Sequence, residues 1–197
     1  MKRVISFRIL AAMITIAVMN CTSCKKNEGD DDGGIDVPGS TKLFKIKQAT
    51  IEYNLLEGLS HETLIFDDNG KKLRLEDEYS IYILDETAKK SYDLDKYTKT
   101  YEEKALSFGQ GKRSTYIMTV NDANFSAAGY TKSTEVIATK SCTIYSGKSG
   151  STTVSYGGWS DIVFLMTLNG GDVMRATSFN ETAAANSFTI PSDYTKK

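Results

Sequence analysis

From Thr41 onward the chain alternates apolar and polar residues, broken at regular intervals by turn residues, and little of it repeats at helical spacing. A period of two predicts a mainly β domain, a curved antiparallel sheet. Ala49, Ile51, Tyr53 and Leu55 fall on one face of a first strand, with Thr50, Glu52 and Asn54 on the other, and Glu57-Gly58 ends it. Asn69-Gly70 is a type I′ hairpin signal, because both central residues of that turn need positive φ. A two-residue loop there sets Phe66 opposite Leu73 and Leu64 opposite Leu75. On the other face it sets Asp67 opposite Lys72 and Ile65 opposite Arg74. A second hairpin is predicted between Tyr79–Leu84 and Ser91–Asp95.

Further strands are expected at Ser114–Val120, Glu135–Ala138, Cys142–Tyr145, Thr152–Tyr156, Ile162–Leu168, Val173–Phe179 and Ser187–Ile190, with a turn at Asn169-Gly170-Gly171-Asp172. Asn121 to Gly129 reads as one short helix, stopped by Gly129 in the left-handed conformation and packing Phe125 on the sheet. The run Ile162-Val163-Phe164-Leu165-Met166 lacks alternation, which predicts a strand covered on both faces. The second cover is either core or a ligand. Tyr156, Trp159, Phe164, Met166 and Phe179 are therefore the candidate ligand-binding residues of an apolar pocket, with a packed core as the alternative.

The first residues have a different pattern. Lys2, Arg3 and Arg8 precede an uncharged apolar run from Ile9 to Met19, too short to span a bilayer and typical of a cleavable signal peptide. The segment Cys21-Thr22-Ser23-Cys24 that follows resembles the lipobox of bacterial lipoproteins, in which a cysteine preceded by small residues is acylated and cleaved on its amino side. Cys24 fits better than Cys21, since Thr22 and Ser23 are smaller than Met19 and Asn20. Cleavage there leaves Cys142 as the one free thiol and rules out an internal disulfide, and Cys142 reads as a small buried hydrophobe. The expected organisation is a signal peptide over 1–23, a lipidated cysteine with an acidic, glycine-rich disordered tether over 24–40, and an antiparallel β domain over 41–197. Asp30 to Asp32 lack the glycine and terminal glutamate of a calcium loop, so they read as solvated charge. Their place after the cysteine resembles the surface-export signal of lipoproteins in Bacteroidota.

Composition narrows the function classes. With 197 residues and 40% hydrophobic content the chain suits one domain after its leader. A formal net charge of -1 gives no electrostatic reason for a nucleic-acid partner.

The stretches Phe66-Asp67-Asp68-Asn69-Gly70-Lys71-Lys72 with Arg74 and Glu76, Ile137-Ala138-Thr139-Lys140-Ser141-Cys142 with Tyr145, Trp159, Ile162, Ala176-Thr177 and Phe188-Thr189-Ile190-Pro191 together resemble a family of uncharacterised Bacteroidota outer-membrane lipoproteins. Glycine would be expected where Thr139 stands. That family is similar to the half-open barrels of periplasmic lipoprotein carriers. The resemblance implies a curved antiparallel sheet with a helix at its mouth and apolar cargo. It also implies residence at the outer membrane, on the periplasmic or the surface-exposed face.

Candidate chemistry is sparse. His61 is the one histidine, which excludes a histidine-rich metal site, and a Cys142/His61 pair has no visible third member. Gly147-Lys148-Ser149 lacks the preceding glycine and following helix of a phosphate loop and reads as a hairpin turn. No nucleophile elbow occurs, and Asp77, Glu78, Glu102 and Glu103 sit in charge runs. No catalytic residue, metal or cofactor is expected, and the chain is not expected to be an enzyme. Two functions stay open. One is a lipid-anchored envelope lipoprotein that binds a lipid or other apolar molecule. The other is a surface interaction module that contacts a neighbouring protein or glycan, and in both the acyl anchor makes the membrane a partner.

Overall fold

The computed structural model describes residues 43–106, 113–118 and 122–197. The signal peptide and tether expected over 1–40 lie outside them. The described residues form a curved, unclosed sheet of twelve strands, antiparallel but for its last edge. In chain order the strands are β1 Ala49–Leu55, β2 Ser60–Asp67, β3 Lys72–Glu76, β4 Ser80–Asp85, β5 Lys90–Asp95, β6 Thr100–Ala105, β7 Thr131–Ile137, β8 Lys140–Ser149, β9 Thr152–Trp159, β10 Ile162–Leu168, β11 Gly171–Asn180 and β12 Thr195–Lys196. Their spatial order is β12-β6-β5-β4-β3-β2-β1-β11-β10-β9-β8-β7. Two hairpin meanders, β1 to β6 and β7 to β11, are thus joined side by side where β1 pairs with β11.

The Asn69-Gly70 hairpin has the predicted register: Leu64 pairs with Leu75, Ile65 with Arg74, Phe66 with Leu73 and Asp67 with Lys72. Its turn is type I′, with Asn69 at φ 56 and ψ 32, Gly70 at φ 93, and Lys71 N–H donating to Asp68 C=O at 3.2 Å. The second hairpin pairs Ile81 with Leu94 and Leu84 with Ser91, but Tyr79 lies in the turn before β4 and not in the strand.

Other expectations need correction. Ser114–Val120 is not a strand: Arg113–Tyr116 is one turn of 3-10 helix, followed by a single bridge from Ile117 to Ile162, while 119 and 120 lie outside the described residues. The Tyr116 ring packs on Tyr53 at 5.6 Å, so the apolar residues that read as a strand serve core packing from a helical turn. Ser187–Ile190 is a turn and not a strand. Phe188 and Ile190 lie against the cluster of Ile81, Ile83, Leu94 and Tyr194, where a crossing segment buries apolar side chains without joining a ladder. Gly147 sits inside β8, where a β-carbon would strike the Tyr130 ring, and the turn falls at Gly150, at φ 64. β6 and β12 were not legible as strands. β6, Thr-Tyr-Glu-Glu-Lys-Ala, has hardly an apolar face, and β12 is two residues long.

The short helix Asp122–Ala127 ends as the sequence requires. Gly129 is left-handed at φ 79, its N–H donates to Ser126 C=O at 3.0 Å and Tyr130 N–H to Phe125 C=O at 2.9 Å, the two bonds of a Schellman motif. Phe125 packs on Tyr145 and Tyr156 of the sheet.

The turn between β7 and β8 puts Ala138 at φ 46 and Thr139 at φ 69. A β-branched residue is strained there, which is the physical content of the glycine expected at this place. Thr139→Gly is expected to raise stability by about 1 kcal/mol, read as a higher urea midpoint at unchanged slope. A lower midpoint would mean that the threonine is favoured by contacts that outweigh its backbone strain.

Candidate functional site

Trp159, Phe164 and Phe179, three of the five residues expected to line a pocket, come together as a ring cluster. Trp159 and Phe179 are 5.4 Å apart, Phe164 and Phe179 5.7 Å, and Trp159 and Phe164 6.4 Å. Phe164 is fully buried, and Lys140 caps the other two rings with its Nζ 4.5 Å from each while pairing with Glu181 at 3.0 Å. Tyr156 stands apart against Phe125 of the helix, and Met166 is buried opposite Met174. Glycine makes this packing close: a β-carbon at Gly157 would collide with Ile144 and one at Gly158 with Met118 and the Ile162 carbonyl.

Two open depressions on the described residues lie elsewhere. One, of about 490 Å³, is wide open and lined by Asn54, Glu57, Gly58, Gly170, Asp172 and Arg175. The other, of about 330 Å³, lies under the C-terminal segment and is lined by Ile65, Arg74, Glu76, Asn186, Ser187, Thr189 and Pro191. In the first, Arg175 is held by Asp172 at 2.6 Å and by Glu135 of β7 at 2.8 Å. Both carboxylates raise its already high pKa.

Cys142 is fully buried in β8, and desolvation pushes its thiol up to about 11, away from thiolate chemistry at neutral pH. His61 Nδ1 lies 2.8 Å from Asn54 Oδ1 on β1. Four strands separate its strand, β2, from β8 in the sheet order. Tyr53, on β1, donates its hydroxyl to the Val163 carbonyl at 2.8 Å, and burial, helped by Glu62 and Cys142, raises its pKa well above the usual value. Among the described residues no group of three or more His, Cys, Asp or Glu is placed to hold a metal ion.

One feature was not expected from the sequence. Of the large hydrophobic residues that are strongly exposed, Leu59 (83%), Tyr79 (74%) and Tyr97 (95%) lie in the β1–β2, β3–β4 and β5–β6 turns. In an antiparallel meander alternate turns emerge at one end, so these three share an end of the sheet. Gly170, in the β10–β11 turn, opens at that end too, because β11 starts where β1 finishes. The two tyrosine turns are built alike. Asp77 Oδ1 accepts from the backbone N–H of Tyr79 at 2.7 Å and of Ser80 at 2.6 Å. Asp95 Oδ1 accepts from Tyr97 and Thr98, both at 2.9 Å, and these backbone bonds hold its carboxyl below the usual range.

Lys96 ties the turns together: its backbone N–H donates to the Tyr79 carbonyl at 2.9 Å and its Nζ to the Asp77 carbonyl at 2.8 Å and Glu76 Oε1 at 2.7 Å. Burial acts to raise the Glu76 pKa, but hydrogen bonds from Lys96 and Arg74 bring it below the ordinary value. The signal was present as Asp77-Glu78-Tyr79-Ser80 and Asp95-Lys96-Tyr97-Thr98, an Asp-x-Tyr-Ser/Thr pattern that occurs twice.

No known protein family matches the chain, and no curated protein does. Among solved structures, two of PNGF-II are similar at 12% identity, covering 77% and 76% of this chain and 31% and 30% of theirs, with TM-scores of 0.46 and 0.42. This chain thus spans under a third of the PNGF-II chains. An uncharacterized conserved protein from Thermus thermophilus is similar at 10% identity, covering 79% of this chain and 92% of that one, with a TM-score of 0.46. Likeness at these levels carries no argument about function.

Proposed function

We propose that the protein is a lipid-anchored cell-envelope lipoprotein, held in the outer membrane through Cys24, whose β domain serves as an interaction module. The reading rests on one observation about the domain. Three of its expected pocket residues, Trp159, Phe164 and Phe179, fill the space between them with one another's rings, whereas three of its large apolar side chains stand in solvent on turns at one end of the sheet. A carrier of apolar cargo needs an apolar concavity, and the depression of about 490 Å³ is polar and open instead. Apolar side chains that share one end of the sheet are apolar area that a partner can cover. Anchorage is supported by the lipobox-like Thr22-Ser23-Cys24 behind an apolar run.

Trp159, the one tryptophan, is half-buried within the ring cluster and reports on occupancy there. The purified protein is expected to yield no bound lipid beyond its own acyl chains by mass spectrometry. Titration with a long-chain fatty acid is expected to leave Trp159 emission unchanged. A saturable emission change, abolished by Phe164→Asp in a protein of unchanged circular dichroism, would restore the apolar-cargo reading.

A further inference from the structure

We infer that strand β7 is a dimerisation edge, to which a second copy of this chain adds its own β7, antiparallel and about a two-fold axis at Thr134. The inference goes beyond the reading of the domain as an interaction module and depends neither on the anchor nor on the exposed turns.

The two edges of the sheet differ. At one, β12 pairs with Thr100 and Tyr101 of β6, and Glu102, Glu103 and Lys104 follow along that strand. A short covering strand and a run of charges are common guards of an edge. At the other, β7 pairs with β8 along its whole length, and six of its seven residues, Thr131 to Val136, are exposed. Its charged residues are turned toward partners in their own chain: Lys132 Nζ lies 2.7 Å from Asp122, and Glu135 Oε1 2.8 Å from Arg175. Val136, 71% exposed, is a large apolar side chain that stands in solvent within a strand and not on a turn.

The hairpin fixes which backbone groups of β7 are open. Ala138 and Thr139 form a two-residue loop with both residues left-handed, closed by Ile137 opposite Lys140. Such a loop makes its closing pair a hydrogen-bonded one, and bonded and non-bonded pairs then alternate along the ladder. Ile137, Glu135, Ser133 and Thr131 therefore turn N–H and C=O toward β8. Lys132, Thr134 and Val136 turn theirs outward, and among the described residues no backbone carbonyl accepts from these three.

A reversed copy centred on Thr134 sets Thr134 opposite Thr134, and Lys132 opposite Val136 on either side of the axis. Every outward residue then meets an outward residue, so all three pairs exchange both bonds of an antiparallel ladder. The side chains agree with this register. Each Lys132 lays its methylenes over an exposed Val136 while its ammonium stays on Asp122. The two Thr134 make a β-branched pair, and on the other face Ser133 stands opposite Glu135, a hydroxyl donor beside a carboxylate. The two Glu135 come no closer than the ladder diagonal, about 7 to 8 Å, and each is paired with its own Arg175. No like charges stand directly opposite. What favours a copy over an unrelated strand is this match of Lys132 to Val136 and of Ser133 to Glu135, repeated by symmetry. The contact also closes on itself, as an isologous dimer does, and consumes both open edges.

The test follows the full-length protein in a density-matched detergent by sedimentation equilibrium, from about 1 μM to about 1 mM, the span of weak specific association. The mass is expected to rise toward twice that of the monomer. Thr134→Pro is expected to stay monomeric across the range with unchanged circular dichroism, because the N–H it loses points away from β8. Val136→Lys is expected to weaken association at least about tenfold, since it sets lysine opposite lysine twice. Mild oxidation of Thr134→Cys is expected to link the copies beyond the level of the unsubstituted protein, because paired residues at the axis lie about 5.5 Å apart at Cα. Ser133→Cys, whose two copies lie on a diagonal, is expected not to link. Should Thr134→Pro lose its fold, Val136→Lys and the cysteine variants decide. A monomer at every concentration overturns the inference. So does a dimer that persists in both Thr134→Pro and Val136→Lys, or one that links Ser133→Cys as readily as Thr134→Cys. Each of these failures leaves the reading of the domain standing, since that reading is decided by bound lipid and Trp159 emission.

Discussion

Gly70→Val is expected to cost about 3 kcal/mol of folding stability, from backbone strain and overpacking together. Gly70 is the second central residue of a type I′ turn, at φ 93, where a β-branched residue meets its own carbonyl. A β-carbon there would also stand 2.8 and 2.9 Å from two atoms of the Phe44 ring and 3.1 Å from Cβ of Leu43. Phe44 has no room to yield, being fully buried against Phe66 with ring centroids 4.3 Å apart. Its backbone is fixed as well: Asn69 Nδ2 donates to the Phe44 carbonyl at 3.1 Å and the Ile46 carbonyl at 2.9 Å. The turn thus docks the incoming chain as well as joining β2 to β3. Urea denaturation is the measurement, and a midpoint equal to that of the unsubstituted protein would contradict this account of the turn. Asn69→Ala should cost less, on the order of 1 to 2 kcal/mol, since it removes two hydrogen bonds without a collision.

Cys24→Ala is expected to move the protein from the membrane fraction to the soluble fraction completely, whereas Cys21→Ala should change nothing. Each methylene of an acyl chain contributes about 0.8 kcal/mol of membrane affinity, so two or more long chains hold a protein durably and their absence leaves nothing comparable. Among the described residues no helix is long and apolar enough to cross a membrane, although strands of a transmembrane barrel are not addressed by that observation. Metabolic labelling with an alkynyl palmitate analogue, followed by fractionation, reads both variants. Label retained on the Cys24→Ala protein would transfer the anchor to another residue.

The legible part of the fold was the part governed by local rules. The β2–β3 register followed from a turn that tolerates few residues, and the end of the helix followed from Gly129. The alternation of β1 was read correctly down to the buried Ala49, Ile51, Tyr53 and Leu55. Where the sequence misled, tertiary contacts supplied what local pattern lacked. β6 is held by β5 on one side and, at Thr100 and Tyr101, by β12 on the other, and not by an apolar face of its own. Ser187–Ile190 has the composition of a strand because Phe188 and Ile190, each partly buried, pack on the Ile81, Ile83, Leu94 and Tyr194 cluster from an irregular path.

The apolar run of β10 was rightly taken as covered on both faces, with all five residues from Ile162 to Met166 buried. Periodicity could not separate a filled core from a pocket, since both demand the same side chains. The tyrosine turns went unread because exposure of an aromatic residue is set by where its turn emerges, which depends on the whole strand order.

The seam between the two meanders has a consequence for how the chain reaches its native state. β1, near the start of the domain, pairs with β11, so Thr50 meets Asn180 and Leu55 meets Met174. Pairing at such sequence separation makes the relative contact order high, and folds of that kind form in milliseconds to seconds rather than microseconds. Until β11 emerges, one edge of β1 has no ladder partner, and its apolar face of Ala49, Ile51, Tyr53 and Leu55 lacks part of its cover. A nascent chain that stops short of Gly171 therefore presents an open template for aggregation, and holding it unfolded until the last strands arrive is a demand that this strand order places on the cell.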